Sequence, residues 1–387
     1  MSFEPGTDRQ TARRNRYDLS ELSGAFGDLG TLVPFVIAYL AIVKVDPVGL
    51  LLGFGGAMIA TGLWYRTPFP VQPMKAVGAA AAVSSAGVVV TPAILAASGL
   101  VTAVIWLVLG ATGLARRMAG WIPRPALLGV ILGLGFSFML EGVRMMSEGM
   151  WTAAAMLVVA LLAQSRLPVM LVLLPAGAGI SIWNDPSLLS TLSAIRPAFH
   201  TPVFAWPTLS AADVWAGAIF LALPQLPLTF GNALVAITAE NNRLFPERPV
   251  TERSVALSTG LANLFTSSIG GVPVCHGAGG MAGHVQFGAR TGGATVMLGT
   301  LLVLLGLFFG DSVQVLLKLF PTPVLGVILF LAGAELALSG RDAEDDRVQR
   351  FVLFATAALA VVNVGLAVVF GIALHQAAKH GLLRLRH

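Results

Sequence analysis

The 387-residue chain is 56% hydrophobic and only 11% charged, against about 25% charged residues in an ordinary soluble domain. That balance excludes a soluble globular fold, because apolar runs each long enough to cross ~30 Å of hydrocarbon as a helix recur along the chain. A net charge of +5 and a pI near 9.9 point superficially to nucleic acid, a partner that the placement of the basic residues excludes.

The first twenty residues form a polar, basic arm without the apolar region and small-residue cleavage site of a signal peptide, so the arm is expected to stay uncleaved in the cytoplasm. Turns read from Pro, Gly and charge clusters divide the rest into fourteen segments. These are 22–41, 47–65, 72–88, 93–114, 124–142, 149–164, 167–183, 212–239, 252–269, 275–287, 292–310, 321–339, 349–363 and 365–380. The predicted architecture is an all-α polytopic membrane protein. A first repeat spans 21–185, an extracytoplasmic connection 186–210, and a second repeat 211–380.

With both termini inside, 19 of the 24 Lys and Arg residues fall on the cytoplasmic side, and Lys44, Arg144, Arg196 and Lys318 fall outside. The positive-inside rule is obeyed at almost every loop, which supports the segment count and places the chain in a cell inner membrane. Lys75 is the remaining cation, within the membrane. The single cysteine, Cys275, cannot close an intrachain disulfide. Cys275, His276 and His284 lack the spacing of a metal site, so no metal or other cofactor is expected. No Walker A motif occurs, so this chain has no ATP-driven chemistry of its own.

Segments three and ten stand apart. The third opens Pro70-Val71-Gln72-Pro73-Met74-Lys75 and the tenth Pro273-Val274-Cys275-His276-Gly277-Ala278-Gly279-Gly280. Gly27-Asp28 precedes Pro70 by 43 residues, and Gly231-Asn232 precedes Pro273 by 42. Seven segments per half is an odd number, so the two halves form a 7+7 inverted repeat. Short, Gly/Pro-interrupted segments at matching positions of such a repeat point to a transporter's binding site near the midplane.

In this reading the third segment turns helical at Pro73, where a proline in first position costs no hydrogen bond. Two half-helix N-termini then face each other, each with unpaired N–H groups and about half a positive charge, a setting for an anion. Gly277, Gly279 and Gly280 leave backbone N–H groups uncovered by side chains, and Lys75 adds a full charge, which suits a dianion. The expected substrate ligands are Thr31, Gln72, Met74, Lys75, Gln225, Cys275, His276, Gly277, Ala278 and Gly279. Gln225 earns its place because Pro224 and Pro227 disturb segment eight around its amide. Asp28, Asn232 and Glu240 are candidates for proton coupling or ion pairing, with Asp28 the expected partner of Lys75.

The runs Glu21-Leu22-Ser23-Gly24-Ala25-Phe26-Gly27-Asp28-Leu29-Gly30-Thr31 and Pro227-Leu228-Thr229-Phe230-Gly231-Asn232, with the two proline motifs and Phe287-Gly288-Ala289-Arg290-Thr291-Gly292-Gly293, resemble the molybdate-transporter branch of the SulP sulfate-permease superfamily. The resemblance spans nearly the whole chain. It implies a fold shared with uracil permeases, in which segments one to four and eight to eleven form a core holding substrate. Segments five to seven and twelve to fourteen form a gate. It also implies elevator-like transport and homodimers formed through the gate. Many sulfate permeases carry a C-terminal STAS domain, and its absence, as in the molybdate branch, favours molybdate.

The leading expectation is therefore a secondary importer of molybdate, with tungstate as a mimic and the lipid bilayer as solvent. A sulfate or nucleobase permease on the same scaffold, or an oxyanion channel, remain the alternatives. An intramembrane hydrolase is excluded by the lack of a nucleophile–base pair.

Overall fold

The computed structural model describes residues 14–74, 89–163, 168–201, 208–339 and 346–380. Among them, helices stand at thirteen of the fourteen predicted segments. The remaining helix, expected within 72–88, falls on residues outside the described ones, as does Lys75.

In the first half, α1 spans Leu19–Val43, α2 Pro47–Tyr65, β1 Gln72–Pro73, α3 Pro92–Ala111 and α4 Leu114–Ala119. It continues with α5 at Arg124–Met146, α6 at Met150–Ala163 and α7 at Met170–Asn184. After α8, Ser187–Ala194, the second half holds α9 at Ala211–Leu244, α10 at Glu252–Ser268, β2 at Val274–Cys275 and α11 at Ala278–Gln286. It ends with α12 at Gly293–Phe309, α13 at Val313–Leu317, α14 at Thr322–Ser339, α15 at Arg347–Val362 and α16 at Val364–Lys379. Among the described residues, six stretches are long and apolar enough to cross a membrane. The short helices α4, α8 and α13 were not anticipated, because they lack a long apolar run. Of these, α8 lies in what reads as the irregular connection 186–210.

Packing pairs elements from opposite halves. Helix α2 packs on α12, α3 on α10, and α5 on α14, and the first two pairings are reciprocal in segment order. Small residues allow close approach, as is usual where lipid supplies no hydrophobic drive between helices. A Cβ on Gly55 would lie 2.5 Å from the Gly299 carbonyl oxygen, and one on Gly299 would lie 2.6 Å from that of Gly55.

The same mutual contact joins Gly27 of α1 to Gly283 of α11, at 2.2 and 2.5 Å. It falls where α1 tightens into a 3₁₀ turn at Phe26–Asp28. Gly27→Ala forces those backbones apart, and overpacking of this kind costs about 1–3 kcal/mol. A lower melting temperature of the purified protein is the expected result; an unchanged one would show that the crossing yields freely.

Helix α9 carries Pro224 and Pro227 without ending. π-helical turns at Gly217–Ala222 and Gly231–Ala236 flank the prolines. There the backbone shifts from the i−4 to the wider i−5 hydrogen-bond register, as where the Leu223 N–H donates to the Ala218 carbonyl.

One expectation is corrected. Pro73 does not begin a helix: it lies in β1, which pairs antiparallel with β2 in the register Gln72 to Cys275 and Pro73 to Val274. The Met74 N–H donates to the Pro273 carbonyl at 3.1 Å. Cross-strand bonding thus carries the extended backbone through Pro73, and the fold holds a two-residue ladder beside its helices.

Candidate functional site

The ladder brings the two Pro-Val motifs together at the centre of the molecule, and α10 fixes one side of it. Asn263 donates through Nδ2 to the Val274 carbonyl at 2.6 Å, and its Oδ1 accepts the Val274 N–H at 3.0 Å. A side-chain amide thereby stands in for a third strand, satisfying buried backbone groups that would otherwise cost free energy.

His276 fastens the other side. Its Nδ1 donates to the Pro70 carbonyl at 2.8 Å. That bond makes Nε2 the acceptor, met by the Ser258 hydroxyl at 2.8 Å, and Ser258 in turn accepts from the Tyr65 hydroxyl at 2.7 Å. Phe69 stacks on Tyr65 at 4.0 Å and meets the imidazole edge-on at 5.0 Å. Both nitrogens of His276 are therefore engaged by protein groups, and the ring is a strut of the crossing.

Two residues further on, α11 begins. The Ala278 N–H donates to Oδ1 of Asn232 on α9 at 3.2 Å, so that first-turn donor is capped from another helix. A Cβ at Gly277 would lie 1.7 Å from Gln72 Oε1, and one at Gly279 would lie 1.7 Å from a ring carbon of Phe138. A Cβ at Gly280 would meet Gln72 Nε2 at 2.8 Å and Asp28 Oδ2 at 2.9 Å. Three glycines thus let two polar side chains and a ring rest on the bare backbone of a helix N-terminus.

Gln72 is the hub. Its Nε2 donates to Asp28 Oδ1 at 2.5 Å and to Thr31 Oγ1 at 2.8 Å, and Thr31 donates to Asp28. Its Oε1 is buried beside Gly277 with no hydrogen-bond partner among the described residues. Asp28, Thr31, Gln72 and Asn232 are all buried. The carboxylate of Asp28 lies against the first turn of α11, where the helix dipole favours negative charge. The arrangement gathers the first turn of a helix, two side-chain amides, a hydroxyl and one carboxylate in a buried polar cluster.

A cleft of about 560 Å³ adjoins the cluster, lined by Ser137 and Phe138 of α5, Pro224 and Asn232 of α9, and Asn363 between α15 and α16. Phe138 and Asn232 belong to both the cleft and the crossing.

The crossing unites Asp28, Thr31, Gln72, Asn232, Gly277, Ala278 and Gly279. Met74 and Cys275 flank it, buried in and beside the ladder. Gln225 is buried on α9 and donates to Thr229 Oγ1 at 2.9 Å, one turn along its own helix. Glu240, further along α9, forms an ion pair with Arg243 at 2.8 Å. The expected Asp28–Lys75 pairing rests on Lys75, outside the described residues. Sequence reasoning passed over Phe138, one aromatic among many in an apolar run. It also passed over Asn263, whose placement mid-helix among apolar neighbours was a usable signal.

A family model described as "Molybdate transporter of MFS superfamily" matches residues 20–138 and 217–336. Molybdate transporter 2 of Arabidopsis thaliana is 32% identical, over 91% of this chain and 85% of that protein. Molybdate transporter 1 of Chlamydomonas reinhardtii is 30% identical, over 91% of this chain and 90% of its own length. Among solved structures, the transmembrane domain of the cyanobacterial bicarbonate transporter BicA aligns with a TM-score of 0.57 at 16% identity, over 90% of this chain and 97% of that one. Murine Slc26a9, an anion transporter in its inward-facing state, aligns at 0.62 and 13% identity, over 100% of this chain and 74% of that one. The fold is thus that of SLC26-type membrane transporters, and by sequence the chain is a member of the molybdate transporter family.

Proposed function

We propose that the protein imports molybdate across a cell inner membrane as a secondary transporter. The observation that carries the reading is the buried crossing, where the glycine-bare first turn of α11 meets the Gln72 amide. In this scheme Gln72, Thr31, Gln225 and the backbone of Gly277 and Gly279 hold the oxyanion, while Ala278, whose N–H donates to Asn232, fixes the turn between them. Met74 and Cys275 form its apolar wall, Lys75 supplies the full positive charge, and His276 keeps the crossing in shape.

The geometry supports proton coupling through Asp28. Its carboxylate uses the donors of Gln72 and Thr31 that an incoming oxyanion also needs. Two anions at one helix N-terminus repel, so binding of the dianion is favoured when Asp28 is protonated. Proton and anion then travel together.

Movement follows the family's division of labour: α1–α3 with α9–α12 slide as a core against a gate of α5–α7 and α14–α16. The site passes from one side to the other between them. Homodimers form through the gate. The excess of basic residues on one side supports cytoplasmic termini in this scheme.

The test is molybdate uptake into proteoliposomes with tungstate, sulfate and uracil as competitors, in wild type and Lys75→Ala. Saturable uptake, blocked by tungstate and lost in Lys75→Ala, is the expected result. Competition by uracil overturns the substrate class, equal competition by sulfate transfers the assignment to the wider oxyanion permeases, and full uptake by Lys75→Ala removes that lysine from the site.

A further inference from the structure

Phe138 sits where the cleft and the anion site meet. A Cβ at Gly279 would lie 1.7, 2.4 and 2.6 Å from its Cε2, Cζ and Cδ2, three adjacent carbons of one ring edge. The ring edge therefore rests on the backbone of the α11 first turn, while the same residue lines the 560 Å³ cleft. Phe138 is 5% exposed, so its ring is packed between the cleft and the α11 first turn, next to Asn232.

The foundation of the ring is firm. A Cβ at Gly333 of α14 would lie 2.8 Å from both Phe138 Cβ and the Gly135 carbonyl oxygen, so α5 is held backbone to backbone against α14 at this level. Opening a passage between cleft and first turn requires the ring to turn about its side-chain torsions, or the α5–α14 pair to move as a unit relative to α11. The edge of an aromatic ring carries partial positive charge. An anion at the α11 N-terminus is therefore met by a compatible surface while the passage is shut.

We propose that Phe138 is the lid of the anion site on the cleft side: seated on Gly279, it separates the α11 N-terminus from the cleft, and it must leave Gly279 for the anion to enter or depart. The proposal rests on the oxyanion reading for the identity of the ligand. The lid itself rests only on the packing of ring, glycine and cleft. Gly279 is the matching surface, since any side chain there would hold the lid open or drive α5 away.

The chain's single cysteine gives a readout independent of transport. Cys275 is a buried thiol in no disulfide, placed in β2 three residues before the start of α11. The full-length protein in proteoliposomes is treated with a small charged methanethiosulfonate, with and without molybdate. Wild type, Phe138→Ala, Phe138→Leu and Phe138→Tyr are compared, each first checked for a monodisperse elution profile and its melting temperature.

With the lid removed, Phe138→Ala is expected to label at least about tenfold faster than wild type, equivalent to about 1.4 kcal/mol off the barrier to access. Phe138→Leu should fall between, and Phe138→Tyr should label at the wild-type rate. Molybdate should slow labelling in every variant. Equal labelling rates across the series overturn the lid. Faster labelling in Phe138→Ala without protection by molybdate upholds the lid and overturns the oxyanion reading. If Phe138→Ala does not fold, the comparison of Phe138→Leu with Phe138→Tyr decides: equal rates overturn the proposal and a faster Leu variant supports it.

Discussion

Gly277→Ala is expected to reduce molybdate binding and uptake by at least about a hundredfold while leaving the protein folded. The new methyl group would stand 1.7 Å from Gln72 Oε1, a separation that no small adjustment relieves. Gln72 must swing away, taking with it the amide that holds Asp28 and Thr31 and leaving the α11 first turn covered. Hydrogen bonds to a charged group contribute about 1.5–3 kcal/mol each. Losing two of them from an oxyanion corresponds to about a hundredfold or more in affinity. The check is calorimetric titration with molybdate beside uptake. Gln72→Ala in the same chain removes the clash and should restore the wild-type melting temperature without restoring affinity. Wild-type binding by Gly277→Ala would show that the anion does not approach this backbone.

Asp28→Asn is expected to separate two activities that wild type performs together. An asparagine keeps the shape of the side chain and still accepts from Gln72 Nε2 through its oxygen, as Asp28 does at 2.5 Å. It carries no charge and takes up no proton. Exchange of external for internal molybdate should persist, because the anion no longer competes with a carboxylate. Accumulation driven by an inward proton gradient should disappear. The measurement compares counterflow with pH-jump uptake in one proteoliposome preparation. Gradient-driven accumulation by Asp28→Asn would move the coupling group elsewhere, with Glu240 next in line despite its pairing with Arg243.

The two predictions also mark how far the amino-acid sequence reached. The hydropathy pattern located α2 to the residue at both ends, because a capping Asp46 precedes Pro47 and the helix closes at Arg66 in a left-handed turn. The correspondence of the two proline motifs was visible in their spacing, and the structure joins them in one ladder. The strand at Pro73 was not visible. Two residues of extended chain have no periodicity of their own, and their pairing partners lie some 200 positions away, at Val274 and Cys275. The roles of polar residues were legible by type and not by direction. Asn232 was a candidate for coupling and caps Ala278. His276 was a candidate ligand and braces Pro70. Both outcomes depend on neighbours that only the folded chain supplies. Phe138 carried no signal at all, since its importance comes from the glycine it rests on.

The most direct test of the central claim is to locate the anion. Crystals of the full-length protein grown with molybdate, measured on either side of the molybdenum absorption edge, place the metal atom without reference to any side chain. The account predicts a single anomalous peak within hydrogen-bonding reach of the Gly277–Gly279 backbone and the Gln72 amide, lost in Gly277→Ala. A peak confined to the arginine-rich loops, or one in the cleft that survives Gly277→Ala, would contradict it.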